Sequence, residues 1–139
     1  MNTFNLRILA ADRPFFEGEC ASLRIQLEDG QYGILAGHAP VVAAVVPGVM
    51  KYTLPDGTAE MVYVSDGILR VDRKDVLVMT STAERPDEID AKRAERSREA
   101  AREAILHRKT EEEYKQAQAR LARALARLKA KGKTLDMSE

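Results

Sequence analysis

The stretch TAERPDEID, residues 82–90, separates two parts of the chain that have different sequence periods. Before it, apolar and polar residues alternate, as in LRIQL at 23–27, which is typical of strands with one buried face. After it, residues 87–131 contain no glycine or proline and consist mostly of strong helix formers. The sequence therefore predicts an α+β fold, with an antiparallel β-sandwich over residues 1–84 followed by an antiparallel two-helix hairpin over residues 85–139.

Six candidate strands precede this stretch, and short turns separate them. Turns such as PDG at 55–57 and SDG at 65–67 favour hairpins between neighbouring strands. None of the turns leaves room for a helix, so parallel strand pairing is not expected. The candidate strands are TFNLRILA, ASLRIQLE, VMKYTL, AEMVYV, GILRV and VLVMT.

The second part carries start and stop signals for two helices. Pro86, with acidic residues after it, fits the first turn of helix one. Thr110 and Glu113 have the spacing of a capping box, so helix two should start at Thr110, and Gly132 should end it. Because the facing stripes are mainly alanine, they bury little area, and the hairpin should open more easily than the sandwich. The stripes are Ile89, Ala94, Ser97, Ala101, Ala104 and Ile105 in helix one, and Tyr114, Ala117, Leu121, Ala124, Leu125 and Leu128 in helix two.

Charge is distributed unevenly along the chain. Residues 1–84 carry 7 Lys or Arg and 11 Asp or Glu, whereas residues 115–133 carry seven basic residues and no acidic one. This basic run is compatible with a solvated face, nucleic acid, an anionic membrane surface or an acidic patch on a partner protein. The acidic sandwich and the lack of aromatic residues beside the arginines speak against nucleic acid. The alanine-rich apolar face speaks against a membrane surface.

Other features exclude several classes of protein. No apolar run approaches the roughly 20 residues that span a bilayer, and the N-terminal sequence lacks the pattern of a signal peptide. Cys20 is the single cysteine, so an internal disulfide cannot form and a reducing compartment is expected. The two histidines lie in different parts of the chain and have no cysteine near them, so neither a metal site nor a histidine-based catalytic triad is predicted.

The segment GQYGILAGHAP, residues 30–40, has many glycines but not the pattern of a phosphate-binding loop. Gly33 and Gly37 are four residues apart, and no lysine follows them. We interpret both glycines as turn residues and His38 as a group that caps or hydrogen-bonds the loop. The prediction is a rigid, exposed and partly apolar loop, which suits docking to another protein.

The segment IDAKRA, residues 89–94, places Asp90 and Arg93 one helical turn apart. One interpretation is an ordinary ion pair within the helix. The other is a nucleotide pocket, in which the arginine meets phosphate and the carboxylate accepts from a ribose hydroxyl or an adenine amine. Spacing alone favours the ion pair.

Taken together, several segments resemble the epsilon subunit of the rotary F-type ATP synthase, of the bacterial type. They cover nearly the whole chain, in order and at the family's spacing. The segments are GQYGILAGHAP, PG at 47–48, VSDGILRV at 64–71, TAERPDEIDAKRA and YKQAQARLARALARL.

The resemblance implies a non-catalytic rotor subunit that couples proton translocation to ATP synthesis. Its sandwich would bind the gamma subunit and sit on the rotor ring of c subunits, with Gln31, Tyr32 and His38 at or near these contacts. Its hairpin could extend along gamma, where its basic residues would face an acidic segment of the beta subunit and inhibit ATP hydrolysis. The expected location is peripheral, at the cytoplasmic face of the bacterial cell membrane, without bound nucleic acid.

The resemblance also implies that ATP is a regulatory ligand of the closed hairpin, while no cofactor is required. Two positions depart from the family pattern. Asp66 stands where a glycine is common, and at the ATP site Ala100 stands where the family has a further arginine on helix one. A missing charge-assisted contact to phosphate costs about 1.5–3 kcal/mol. The positions that match the family's ATP site are Glu84, Ile89, Asp90, Arg93, Ala94, Arg123 and Arg127.

The alternative from another class is a free-standing adaptor whose basic helices bind nucleic acid or an anionic membrane. Salt-sensitive binding to DNA would distinguish it from a rotor subunit, which should co-purify with gamma or the ring.

Overall fold

The computed structural model describes the backbone of residues 2–137 and the side chains of residues 2–132. Two helices, α1 (Ala91–Leu106) and α2 (Glu111–Met137), follow the strands, and a short 3-10 turn, Pro86–Glu88, precedes α1. The strands are β1 (Phe4–Ala10), β2 (Pro14–Cys20), β3 (Ser22–Leu27), β4 (Gly30–Leu35), β5 (Val41–Val45), β6 (Gly48–Thr53), β7 (Ala59–Val64), β8 (Gly67–Asp72), β9 (Asp75–Thr80) and β10 (Ala83–Glu84).

The strands form a β-sandwich, as predicted, and neighbouring strands are nearly all antiparallel. They follow one hydrogen-bonded path, β10-β7-β6-β3-β5-β8-β9-β1-β2, with β4 on β3. The path curves around a single cluster of buried side chains contributed by nine strands and by Ala83 of β10. Leu6, Ile25 and Leu69 are fully buried in it, because strand alternation turns every second side chain inward.

One strand pair contradicts the sequence analysis, because β1 and β9 are parallel. Asn5 to Ala10 pair in register with Asp75 to Thr80. A parallel pair needs a long connection between its strands, which is usually a helix. Here the strands from β2 to β8 supply that connection, so short turns along the chain do not exclude a parallel pair.

The glycine-rich segment at 30–40 is only partly a loop. Its first six residues form β4, where Gly33 lies opposite Arg24 of β3, so Gly33 is not a turn residue as predicted. Gly37 does occupy a turn, with φ of +85°, a backbone conformation that favours glycine. The sequences of β2, β4 and β5, which read PFFEGEC, GQYGIL and VVAAV, do not alternate between apolar and polar residues, so these strands were not predicted.

The first long helix begins later than Pro86. Pro86 starts the separate 3-10 turn, and Ile89 is extended, with φ of −85° and ψ of 125°. The Asp90 side chain then accepts from the backbone N–H of Arg93 at 3.1 Å and caps α1. Pro86 is therefore a correct helix-start signal, but it starts only a single 3-10 turn, because the extended Ile89 separates that turn from α1.

The second helix starts where the capping box predicts but passes through Gly132. Thr110 Oγ1 accepts from the backbone N–H of Glu113 at 3.0 Å, while the Glu113 carboxylate accepts from the backbone N–H of Lys109 at 2.8 Å. The helix continues to Met137, so the prediction that Gly132 ends it is wrong. A glycine stops a helix only where it turns left-handed, and Gly132 stays helical at a cost of about 1 kcal/mol relative to alanine.

The two helices meet along the predicted alanine seam. Ala94 and Ala101 of α1 and Ala117 and Ala124 of α2 are buried. Two members of the predicted stripes, Ala104 and Leu125, are instead exposed.

A second contact, which the sequence analysis missed, joins α2 to the sandwich. Ala126 and Ala130 pack with Ile89 and with Tyr63 of β7. The hairpin is therefore closed against the sandwich, and residues of β10, the 3-10 turn and both helices face one another.

Candidate functional site

A cleft of about 860 Å³ lies between β10, the 3-10 turn and the facing sides of α1 and α2. Six of the seven residues predicted for an ATP site line it: Glu84, Asp90, Arg93, Ala94, Arg123 and Arg127. The sandwich and both helices must be together for these residues to meet. The cleft therefore exists as a whole only when the hairpin is closed.

The seventh residue, Ile89, is not among the residues that line the cleft. It is buried against Tyr63, Ala126 and Ala130, where it helps to seat α2 on the sandwich. Ile89 therefore contributes to the motif as a packing residue and not as a residue that lines the cleft. Ala94 has two roles, since it lines the cleft and is also buried in the helix seam.

Glu84 and Arg127 close one end of the cleft with a two-point ion pair. Arg127 Nε donates to Glu84 Oε1 at 2.8 Å, and Nη2 donates to Oε2 at 3.4 Å. The same guanidinium lies 4.7 Å from the centroid of the Tyr63 ring. Burial alone would lower the pKa of Arg127, but its hydrogen bond to Glu84 and the charges of the neighbouring Tyr63 and Glu84 raise that pKa, so the residue is charged. This pair ties α2 to β10.

Asp90 does not form the ion pair with the Arg93 guanidinium that its spacing suggested. Its carboxylate instead accepts from the Arg93 backbone. Among residues 2–132, no carboxylate forms an ion pair with Arg93, Arg96 or Arg123. These guanidinium groups keep their donors for another anion.

Several residues of the cleft were not predicted as site residues. Arg120 donates from Nε to Ser97 Oγ at 3.1 Å, across the two helices. Arg96 lies three residues after Arg93, and Arg120 three residues before Arg123, so helical spacing could have identified both. The additional lining residues are Thr82, Glu88, Arg96, Ser97, Ala100 and Arg120.

The charge balance of the cleft favours an anionic ligand. Five arginines and three carboxylates line it. Glu88 forms ion pairs with Arg13 at 3.0 Å and with Arg85, and the pKa of Glu88 is lowered chiefly by the hydrogen bond from the Arg85 backbone. Because Glu84 and Glu88 already have cationic partners, the remaining arginines make the interior of the cleft positive. Arginine forks of this kind suit phosphate groups.

The three residues predicted to dock partners lie on β4 and in the loop that follows it. Gln31 and Tyr32 are exposed on β4, and Tyr32 donates from its hydroxyl to Asp29 Oδ2 at 2.9 Å. His38 lies in the turn after β4, where its Nδ1 donates to the Ala39 carbonyl at 2.7 Å. A pocket of about 640 Å³ at that end also includes Arg73 and Lys74.

An apolar area on the outer face of the sandwich was not predicted. Ile68 of β8 lies opposite Ala44 of β5 and Met79 of β9, and Val42 lies two residues before Ala44 on the same face. Val42, Ile68 and Met79 are 68%, 47% and 44% exposed. We call Val42, Ala44, Ile68 and Met79 the outer patch. A contiguous exposed apolar area of this kind is typical of a protein interface.

No group of three His, Cys, Asp or Glu side chains in the part of the chain that the structure describes could hold a metal ion. No helix in it has the length and apolar character required to cross a membrane.

Comparison with protein families matches both parts of the chain. Residues 3–86 match the family ATP synthase, Delta/Epsilon chain, beta-sandwich domain. Residues 87–132 match ATP synthase, Delta/Epsilon chain, long alpha-helix domain. A curated relative, the ATP synthase epsilon chain of Ruminiclostridium cellulolyticum, is 38% identical over 130 residues, which cover 94% of this chain and 96% of the relative.

Two solved structures share the fold at low sequence identity. A chain of the Euglena gracilis mitochondrial ATP synthase, in a structure of OSCP/F1/c-ring, superposes with a TM-score of 0.81 at 23% identity, covering 91% of this chain and 79% of that one. A chain of the Tetrahymena thermophila mitochondrial ATP synthase, in a structure of the central stalk and c-ring, gives 0.62 at 11% identity, covering 92% and 96%. The family matches and the 38% identity together establish the relationship. The chain belongs to the ATP synthase delta/epsilon chain family and is an epsilon subunit of that complex.

Proposed function

We propose that this epsilon subunit is a non-catalytic part of the central stalk and that ATP controls its hairpin. The observation that carries this proposal is the cationic cleft, which draws residues from the sandwich and from both helices. A ligand that binds there binds only the closed state, and it therefore stabilises that state by mass action.

The sandwich is the part that binds the rotor. The outer patch is apolar and offers a surface for the gamma subunit, because burial of exposed apolar side chains drives association. The His38 end, with Arg73 and Lys74, is polar and basic and suits the loops of the ring of c subunits. Gln31 and Tyr32 extend this surface along β4. Contacts to both partners would carry torque between proton flow and ATP synthesis.

The hairpin is the regulatory part. When α2 leaves the sandwich, the cleft no longer exists. Its residues Arg120, Arg123 and Arg127 then become available to an acidic segment of the beta subunit. An extended hairpin in that position would obstruct rotation in the direction of ATP hydrolysis. In the closed state the same arginines line the cleft, so one set of cations serves two alternative partners.

ATP would favour the closed state over the extended one. Arg93 and Arg123 have no carboxylate partner among the described side chains and face the cleft from different helices. A ligand present at 100 times its dissociation constant stabilises the closed state by about 2.7 kcal/mol. That amount is comparable with the stability of a seam built from four alanines, so ATP well above its dissociation constant would keep the hairpin closed.

The proposed location is the cytoplasmic face of the bacterial cell membrane, where the subunit is attached through the complex. The adaptor alternative is less well supported, because three of the arginines in the basic run line the cleft between the helices.

A calorimetric titration of the purified chain with ATP tests the proposal. We expect binding in the micromolar to low-millimolar range, lost or weakened at least tenfold in Arg93→Gln and Arg123→Gln. The matched control is Arg102→Gln, which removes the same charge from α1 outside the cleft, where Arg102 pairs with Glu99. Equal affinity in all four proteins would contradict the ATP site.

The docking surface is tested by reconstitution with the gamma subunit. Val42→Glu places a charge in the outer patch and should weaken the complex at least tenfold. Leu106→Glu, an equally exposed apolar position at the end of α1, should leave it unchanged. If both variants bind gamma like the parent chain, the outer patch is not the gamma surface.

A further inference from the structure

The cleft has a second end, away from Glu84, that is formed by Arg120, Ser97 and Ala100. Arg120 lies seven residues before Arg127 on α2, which is about 10 Å along the helix axis. Because α1 and α2 are antiparallel, this end lies beside Ser97 and Ala100 of α1, and the hydrogen bond from Arg120 to Ser97 fixes that level. The cleft is therefore elongated, with Glu84 and Arg127 at one end and Arg120 at the other.

Ser97 holds the Arg120 side chain in a definite orientation. The Ser97 hydroxyl accepts from Nε at 3.1 Å, and the bond leaves the two terminal nitrogens of the guanidinium as donors. Among residues 2–132, Arg120 has no ion pair with a carboxylate. An arginine that is pinned by a neutral hydroxyl keeps its full charge for a ligand.

Ala100 also lines the cleft, three residues after Ser97 on α1. Side chains of a helix incline toward its N-terminus, so Arg120 inclines toward the start of α2. In the antiparallel hairpin that direction runs along the C-terminal half of α1, toward Ala100. Because Ala100 carries only a methyl group, it fills less of the cleft than a long side chain would, and Arg96 adds a further cation to the lining.

We propose that Arg120, positioned by Ser97, binds the terminal phosphate of a nucleoside triphosphate and makes the cleft prefer triphosphates to diphosphates. This inference rests on the proposed ATP site. The carboxylates of Glu84 and Asp90 suit the hydroxyls and amine of a nucleoside, and the successive phosphates then extend along Arg93 and Arg123 toward Arg120. A diphosphate is shorter by one group and ends before the Arg120 end of the cleft. Hydrolysis of ATP to ADP would then weaken binding in the cleft and favour opening of the hairpin.

The test is a set of calorimetric titrations of the full chain with ATP, with ADP and with inorganic tripolyphosphate. In Arg120→Gln we expect ATP affinity to fall about tenfold or more, the effect of one charge-assisted contact, while ADP affinity stays within about twofold. Ser97→Ala should reduce the preference for ATP over ADP several-fold, and Ser97→Thr, which keeps the hydroxyl, should restore it. Arg102→Gln is the charge-matched control on the outer face, and thermal unfolding of each variant verifies that it is folded.

Other results would show whether the assignment of Arg120, the ATP site or both are wrong. If Arg120→Gln binds ATP like the parent chain, or loses ATP and ADP affinity equally, the assignment of Arg120 is overturned while the ATP site stands. If the parent chain binds tripolyphosphate but not ATP, and Arg120→Gln abolishes that binding, Arg120 is a phosphate ligand and the proposed ATP function is wrong. If the parent chain binds none of the three probes, both proposals are overturned.

Discussion

The sandwich and the hairpin of this subunit are held together by different kinds of contact. The sandwich encloses one cluster of large aliphatic and aromatic side chains, such as Phe4, Leu6 and Leu69, that are almost completely buried. The hairpin closes on alanines, together with a few polar contacts such as those from Arg127 to Glu84 and from Arg120 to Ser97. Each buried methylene contributes about 0.8 kcal/mol, so alanines contribute little beside leucines. Polar contacts of this kind can be exchanged for contacts to a ligand or a partner, whereas an apolar core cannot.

The largest effect is expected from shortening a core side chain of the sandwich. Leu69→Ala should lower the free energy of unfolding by about 2–5 kcal/mol, since Leu69 is fully buried and its removal leaves a cavity. Leu106→Ala, at a position 74% exposed, should change it by less than about 0.5 kcal/mol. Urea unfolding of both variants measures the difference. Similar losses would mean that the sandwich core does not dominate stability.

A somewhat smaller effect is expected at a close approach between β8 and β9. A methyl group on Gly67 would collide with the backbone carbonyl of Met79, so Gly67→Ala should destabilise the sandwich by about 1–3 kcal/mol. Gly33→Ala is the matched control, because nothing lies within 4 Å of its added methyl group. Thermal unfolding compares the two. An undisturbed Gly67→Ala protein would show that β8 and β9 lie farther apart than described.

A moderate effect is expected from weakening the ion pair that ties the hairpin to the sandwich. Glu84→Gln weakens the ion pair with Arg127, whose side chains are 26% and 29% exposed, and should favour opening of the hairpin by about 1 kcal/mol. Limited proteolysis within α2 should then be roughly fivefold faster, while cleavage of the sandwich stays unchanged. The double variant Glu84→Gln, Arg127→Gln should be no more open than the worse single variant. Additive effects would show that the two side chains act independently.

The smallest effect is expected at the start of α2. Thr110→Ala removes the oxygen that accepts from Glu113 and should cost about 0.5–1 kcal/mol, confined to the first turn of the helix. Thr110→Ser keeps the oxygen and should retain most of the stability. Amide exchange of residues 111–114 measures the fraying. A loss spread over the sandwich as well would contradict the separation of the two regions.

Much of the fold was readable from the sequence because the signals are local. Alternation identified six strands, and the cap at Thr110 identified the start of α2. Three predictions were wrong. The structure pairs β1 with β9 in parallel, leaves Ile89 extended and continues α2 through Gly132. The first two depend on residues that are distant in sequence. At Gly132 a common stop signal was present, but the backbone did not turn left-handed there.

The residues of the cleft could be predicted from local spacing, but the contacts between them could not. Arg93, Arg123 and Arg127 stand at helical spacings that a sequence shows directly. That Arg127 is already paired with Glu84, or that Arg120 meets Ser97, depends on how α2 lies against α1 and β10. The register between two packed elements is set by side-chain packing, which periodicity does not reveal.

Hydrogen exchange of the isolated chain, with and without ATP, tests the central claim most directly. We predict that the amides of α2 exchange through an opening that costs less free energy than opening of β1, β8 or β9, and that ATP slows exchange in α1 and α2 but not in the sandwich. Equal protection of both regions, unchanged by ATP, would contradict a ligand-controlled hairpin on a firm sandwich.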